Sequence, residues 1–206
     1  MLSLAQAVTP RLAAQALLLA ISALSVLAMP MLEAAEGMAL GAGHGDAVLH
    51  PPQRRLQRSA DLRYRLEVNA VDGWRSPLAR GQLWLETADP PRLIWDRSLP
   101  QSYGPRRMLV APGGRVLLLD EGANVRSRHA LLLLEPHGQT VVNYSFDQIQ
   151  ALVDLPAAVL VQRALSGSWW LAGPPRLSPK GERLRLPVGG RTLELDLVSG
   201  QLRRLP

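Results

Sequence analysis

Two leucine-rich runs, Val116-Leu117-Leu118-Leu119 and Leu131-Leu132-Leu133-Leu134, constrain what this chain can fold into more than any other feature. Each is short and closed at both ends by turn chemistry: Pro112-Gly113-Gly114 before the first, the polar loop 121–129 between them, and Pro136-His137-Gly138 after the second. Apolar runs of this length between such punctuation read as strands. Two more lie alongside, Met108-Leu109-Val110-Ala111 and Thr140-Val141-Val142-Asn143-Tyr144. The segment 106–149 therefore predicts a four-stranded antiparallel meander followed by a short helix.

The helix is written in its cap. Ser145 and Gln148 form an S-x-x-Q capping pattern, and Phe146, Ile149, Leu152 and Val153 fall on one helical face. Pro156 suits the first turn of a second helix over 157–165, which Ser166-Gly167 ends. Upstream, Leu62, Tyr64, Leu66, Val68 and Ala70 alternate with Arg63, Arg65, Glu67 and Asn69, the pattern of a strand with one buried and one wet face. The segments QLWLET and RLIWD follow as strands around Ala88-Asp89-Pro90-Pro91. After the helices, SWWLAGPPRL, ERLRLPV, RTLELDL and QLRRL read as closing strands. In RTLELDL the alternation is strict, with Leu193, Leu195 and Leu197 against Thr192, Glu194 and Asp196. The fold class expected is mainly β, an antiparallel meander forming a bent sheet, a sandwich or a partial propeller-like arrangement, with one or two short helices.

Gly113-Gly114-Arg115-x-Leu117-x-Leu119-Asp120 is echoed by Gly189-Gly190-Arg191-x-Leu193-x-Leu195-Asp196. Repeated hairpins of this kind build propeller blades. Residues 61–206 suffice for about three blades, too few for the usual closed ring, which favours an open bent sheet or a two-sheet sandwich. With Tyr144-Ser145-Phe146-Asp147-Gln148-Ile149, Ser166-x-Ser168-Trp169-Trp170 and Leu195-Asp196-Leu197-x-x-Gly200-Gln201, the stretch 106–203 resembles a blade-like β module of uncharacterised exported bacterial proteins. That resemblance implies a fold and no activity.

The chain starts with an apolar segment between Arg11 and Glu33, preceded by one basic residue and followed by small and acidic ones, the layout of an export signal. Cleavage after Ala28, or in the region of Ala34 and Ala35, leaves a periplasmic or secreted protein. An uncleaved segment is long enough to anchor it in the inner membrane. Residues 1–35 are thus read as signal peptide or anchor, 36–60 as a disordered linker, and 61–206 as a single domain. His44, Asp46 and His50 in that linker lack the second shell that an imidazole metal site requires. Gly41-x-Gly43-x-Gly45 has neither the strand nor the helix of a phosphate loop. The absence of cysteine excludes disulfides, thiolate metal sites and a thiol nucleophile.

Charge is unevenly placed. Residues 51–80 and 176–206 each carry a net +4, whereas 81–175 balance. If the first and last strands are neighbours, a single basic face results, suited to anionic headgroups or polyanions.

Motifs of chemistry are missing: there is no G-x-S-x-G, S-x-x-K, H-E-x-x-H or calcium-loop pattern. An enzyme would need His129 or His137 with Asp120 or Glu135 and a hydroxyl such as Ser127. The loop 120–129 offers Asp120, Glu121 and Asn124 to a cation, or Arg126 and Arg128 to an anion. Trp169 and Trp170 are adjacent, so on an extended segment they face opposite ways, one to the core and one to a ligand. The expected binding set is Trp169, Trp170, Arg126, Arg128 and His129, with no catalytic residue, metal or cofactor. The expected role is a non-catalytic exported binding or assembly module of the cell envelope with a protein, glycan or anionic envelope partner. No specific nucleic acid is expected, and membrane contact only through an uncleaved N-terminal segment. The alternative is a small exported hydrolase with a histidine-containing site.

Overall fold

A computed structural model describes residues 50–206, which belong to the compact unit Val48–Pro206. The expected export segment and the linker up to residue 49 lie outside the described residues. Twelve strands fall into three antiparallel four-stranded sheets, each formed by consecutive strands. The first sheet contains β1 (Arg54–Arg58), β2 (Tyr64–Ala70), β3 (Ala79–Leu85) and β4 (Arg92–Leu99). The second contains β5 (Pro105–Val110), β6 (Val116–Glu121), β7 (Leu131–Leu134) and β8 (Thr140–Tyr144). Two helices, α1 (Phe146–Val153) and α2 (Ala157–Arg163), lead to the third, β9 (Arg176–Leu177), β10 (Arg183–Val188), β11 (Arg191–Asp196) and β12 (Leu202–Arg204). The protein is mainly β, as its turns and apolar runs predict.

The second sheet is the middle layer, and this explains its leucines. Val116, Leu118, Leu132 and Leu134 join Leu66, Val68, Leu83, Trp95 and Leu99 of the first sheet in one core. Their neighbours Leu117, Leu119, Leu131 and Leu133 join Phe146, Ile149, Leu160 and the leucines of β10 and β11 in another. Because adjacent strand residues face opposite ways, a sheet covered on both sides needs apolar residues at every position, not every second one. All residues of β6 and β7 are accordingly buried. The outer sheets alternate instead: in β10, Leu184, Leu186 and Val188 are buried while Arg183 and Arg185 are exposed.

Local caps form as written. Ser145 accepts from the Gln148 backbone N–H while the Gln148 side chain accepts from the Ser145 N–H, closing the capping box that starts α1. Tyr144 reaches across to the third sheet, its hydroxyl donating to the Gly200 carbonyl at 3.0 Å and accepting from Leu202 N–H.

Four sequence readings need correction. Arg54–Arg58, expected in a disordered linker, is a strand paired with β2 from Arg54 opposite Asn69 to Arg58 opposite Arg65; the sheet edge orders it, although its charge hides the alternation. The Trp169-Trp170 segment is not a strand: it bends, and only Leu171 makes an isolated bridge, to Val188, before the two-residue β9. The Gly-Gly-Arg echo marks two similar hairpins but different positions, since β6 is the second strand of its sheet and β11 the third. The two basic segments do not meet, because β1 to β4 and β9 to β12 lie in the sheets on opposite sides of the middle one.

Candidate functional site

Each outer sheet turns a charged face to solvent, and each has a carboxylate at its centre roofed by arginines. On the first sheet Glu67 accepts from Arg54 at 3.1 Å and is paired with Arg65, which also binds Glu86 at 2.7 Å. Arg58 reaches Glu86, and Arg80 pairs with Asp96, which also accepts from Gln82. Cation and carboxylate alternate over this face, and the Arg65 guanidinium rests on the Trp84 ring, 5.4 Å from its centroid. Little net charge is left to attract a partner.

The third sheet differs. Glu194 accepts from Arg203 at 2.8 Å, with Arg185 at 3.5 Å and Arg183 at 3.8 Å. The register explains the convergence: Arg185 and Arg203 stand opposite Glu194 on the two neighbouring strands, and Arg183 is two residues along on the same face. The Glu194 side chain is only 5% exposed, whereas the three arginine side chains are 57–66% exposed. Its carboxyl lies below the usual range, chiefly through the Arg203 hydrogen bond and against the opposing effect of burial. Asp196, the other acidic group of β11, binds Val198 N–H, Ser199 N–H and the Ser199 hydroxyl, so its charge is held in the following turn. Arg176 adds a fourth cation from β9. A shallow cavity of about 400 Å³ lies between Arg176, Ser178, Arg183, Arg185 and Glu194. A second of about 430 Å³ shares Arg176 and Arg185 and continues past Pro187 and Thr192. Three arginines and one carboxylate thus line a concave surface, with Arg203 holding the carboxylate from the neighbouring strand.

The binding set read from the sequence is only partly brought together. Trp170 is fully buried and donates to Asp120 Oδ1 at 2.6 Å, so it has no face for a ligand; this corrects its place in the set. Trp169 keeps a partly exposed face, but it is already engaged. Its Nε1 donates to Asn124 Oδ1 at 3.0 Å and its ring meets Phe146 edge-on, with centroids 5.9 Å apart. Arg126 covers the same Phe146 ring from 5.3 Å and binds Asp147 at 2.6 Å. The His129 imidazole lies against the Asn143 side chain at 3.0 Å, and Arg128 is exposed. These contacts pin the loop 122–129 to α1 and to the bend at Trp169.

Groups needed by a hydrolase go to separate partners. The Ser127 hydroxyl donates to Glu121 Oε1 at 2.7 Å and accepts from His129 N–H, while the imidazole points to Asn143. Asp120 receives Ser168 Oγ at 2.5 Å as well as Trp170 Nε1. Each of its oxygens thus accepts from a residue other than a histidine. Among the described residues no group of three or more His, Asp or Glu is placed to hold a metal ion, and no helix is long and apolar enough to cross a membrane. Sequence reasoning located the basic C-terminal segment but not the sheet face on which it converges; the exposed alternate positions of β10 were the available signal.

The described residues form a stack of three antiparallel β-meanders with two short helices between the second and the third. No protein-family model matches the chain, and no curated protein matches it. Among solved structures it is similar to an oligogalacturonate lyase in complex with manganese, at 12% identity and a TM-score of 0.41, over 75% of this chain and 42% of that one. A europium-containing methanol dehydrogenase aligns at 12% identity and TM-score 0.36, over 70% of this chain and 22% of that one. HIRA residues 644–1017 align at 12% identity and TM-score 0.33, over 75% and 53%. The chain spans less than two thirds of the length of each.

Proposed function

We propose that this protein is a non-catalytic binding module of the bacterial cell envelope that holds an anionic surface against the outer face of its third sheet. The observation that carries the reading is the concave face lined by Arg176, Arg183 and Arg185 around Glu194, to which Arg203 adds a further cation from β12. Glu194 aligns the guanidinium groups without neutralising them. Three charges in excess, on side chains more than half exposed, supply long-range attraction to phosphate or carboxylate groups and multidentate contact on arrival. The first sheet, where Arg54, Arg58, Arg65 and Arg80 share Glu67, Glu86 and Asp96, is a built-in control. Both sheets are four-stranded antiparallel meanders of consecutive strands, which makes the comparison between their faces direct.

Vesicles of phosphatidylglycerol and phosphatidylcholine test the reading. Binding is expected to the anionic vesicles only, to weaken as salt shortens the screening length, and to be lost in R183E/R185E but kept in R54E/R80E. Equal loss from both reversals, or equal binding to neutral vesicles, would overturn it. Export is a separate part of the proposal, supported by the apolar segment between Arg11 and Glu33. A reporter fused after Ala60 is expected to work outside the inner membrane; activity confined to the cytoplasm would reject it.

A further inference from the structure

Five partly buried arginines have shielded N–H groups that meet no acceptor among the described residues, and two of them, Arg55 and Arg106, come together. Arg55 of β1 and Arg106 of β5 lie where the first strands of the first and second sheets approach each other. Nε and one Nη of Arg55, and Nε of Arg106, are shielded from solvent and meet no hydrogen-bond partner among the described residues. Gln101, one turn before Arg106 and 1% exposed, has both side-chain amide atoms in the same condition. Nearby carboxylates compensate only in part: the Asp120 charge acts on Arg106 but accepts its hydrogen bonds elsewhere. Asp120 is occupied by Ser168 and Trp170, and Glu121 by Ser127 and the Ser102 N–H.

The backbone around the pair is shaped to admit guanidinium groups. A Cβ at Gly104 would lie 2.9 Å from Arg55 Nη2, and one at Gly167 would lie 2.5 Å from Arg106 Cζ. Gly122 joins them, its N–H donating to the Gly104 carbonyl at 2.6 Å and its carbonyl accepting from Arg106 Nη2 at 3.2 Å. Arg55 and Arg106 are close enough to repel, and burial first and Arg106 second bring the Arg55 guanidinium down to about 10. Bringing like charges together out of water with only a partial counter-charge is costly, and charged donors with free N–H groups are what a tetrahedral oxyanion binds. We propose that Arg55 and Arg106 form an oxyanion site at the junction of the first two sheets, with a phosphate- or sulfate-type dianion as ligand. This site is distinct from the arginines of the third sheet and does not rest on their role.

The test uses the full chain. Inorganic phosphate and sulfate are titrated against chloride at matched ionic strength while thermal unfolding is followed. A millimolar site is expected to give a saturable rise of about 5–10 °C at 100 mM phosphate. R55M and R106M, which keep length and lose charge, are expected to abolish that rise, whereas R75M, at an exposed turn outside both arginine groups, is expected to retain it. A parallel arm with glycerol phosphate separates sources: a response equal to that of inorganic phosphate assigns a free anion, a stronger one a phosphate monoester. Phosphate that stabilises no more than chloride would overturn the proposal without recourse to any variant, as would an undiminished response in both methionine variants.

Discussion

Asp120 carries the most consequence of any single residue in the described part of the chain. It stands one residue before the end of β6 at a φ of 54°, a left-handed conformation that Asp and Asn tolerate better than most residues, and its buried carboxylate ties Ser168 and Trp170 to the middle sheet. Burial raises its pKa, and the Ser168 and Trp170 hydrogen bonds restrain the rise without cancelling it. A carboxyl that binds its proton more tightly folded than unfolded favours folding in acid; that contribution is lost as pH rises from the ordinary aspartate range through the raised folded value. Asp120→Asn keeps an acceptor for Trp170 and suits the same backbone. It is expected to raise the melting temperature at pH 7 relative to the parent, with the difference shrinking toward pH 4; a constant offset would show that the carboxyl titrates normally. Trp170→Ala opens a cavity and strands Asp120, so a loss of about 3–5 kcal/mol is expected in chemical denaturation. Trp169→Ala removes one edge-to-face contact and one surface hydrogen bond, for about 1–2 kcal/mol.

Among the elements, β6 and β11 show how the same leucines mean different things. In β11, Leu195 is fully buried, so Leu195→Asp is expected to unfold the protein. The wet-face reading of Glu194 would make Glu194→Gln neutral, but the residue is roofed by Arg203, Arg185 and Arg183. Removing its charge leaves three arginines repelling, and a measurable fall in melting temperature is expected, smaller than that of Leu195→Asp. In β6, with both faces covered, no neighbour is the tolerant one. Leu117→Ala and Leu118→Ala face different cores and are each expected to cost about 2–5 kcal/mol. A near-neutral result for either, by urea unfolding, would mean that one side of the middle sheet is open.

For the molecule as a whole, stacking three meanders places the greatest protection at the centre. Amide exchange is expected to be slowest in β6 and β7, whose residues are buried on both faces, and fastest along β4 and β9, the edge strands of the flanking sheets opposite those that approach β5 and α1. Slowest exchange in the first or third sheet would contradict the layer order. The charged outer faces end the stack at both sides, as polar caps do in repeat architectures.

What the sequence determined by itself is what depends on near neighbours. The capping box Ser145 to Gln148, the turns at Gly113-Gly114 and Gly189-Gly190, the meander of the second sheet and the inward set Leu193, Leu195 and Leu197 all follow from residues within a few positions of one another. Tertiary structure decided the rest. Burial of the LLLL runs on both faces depends on a first sheet about 50 residues upstream and a third as far downstream, and periodicity records faces without saying what covers them. Which tryptophan is buried was settled by Asp120, 50 positions away in the chain. Arg55 and Arg106 meet for the same reason, and the two basic segments fail to meet because a whole sheet stands between them. Contacts across layers join residues with no local signature, and only folding brings their chemistry together.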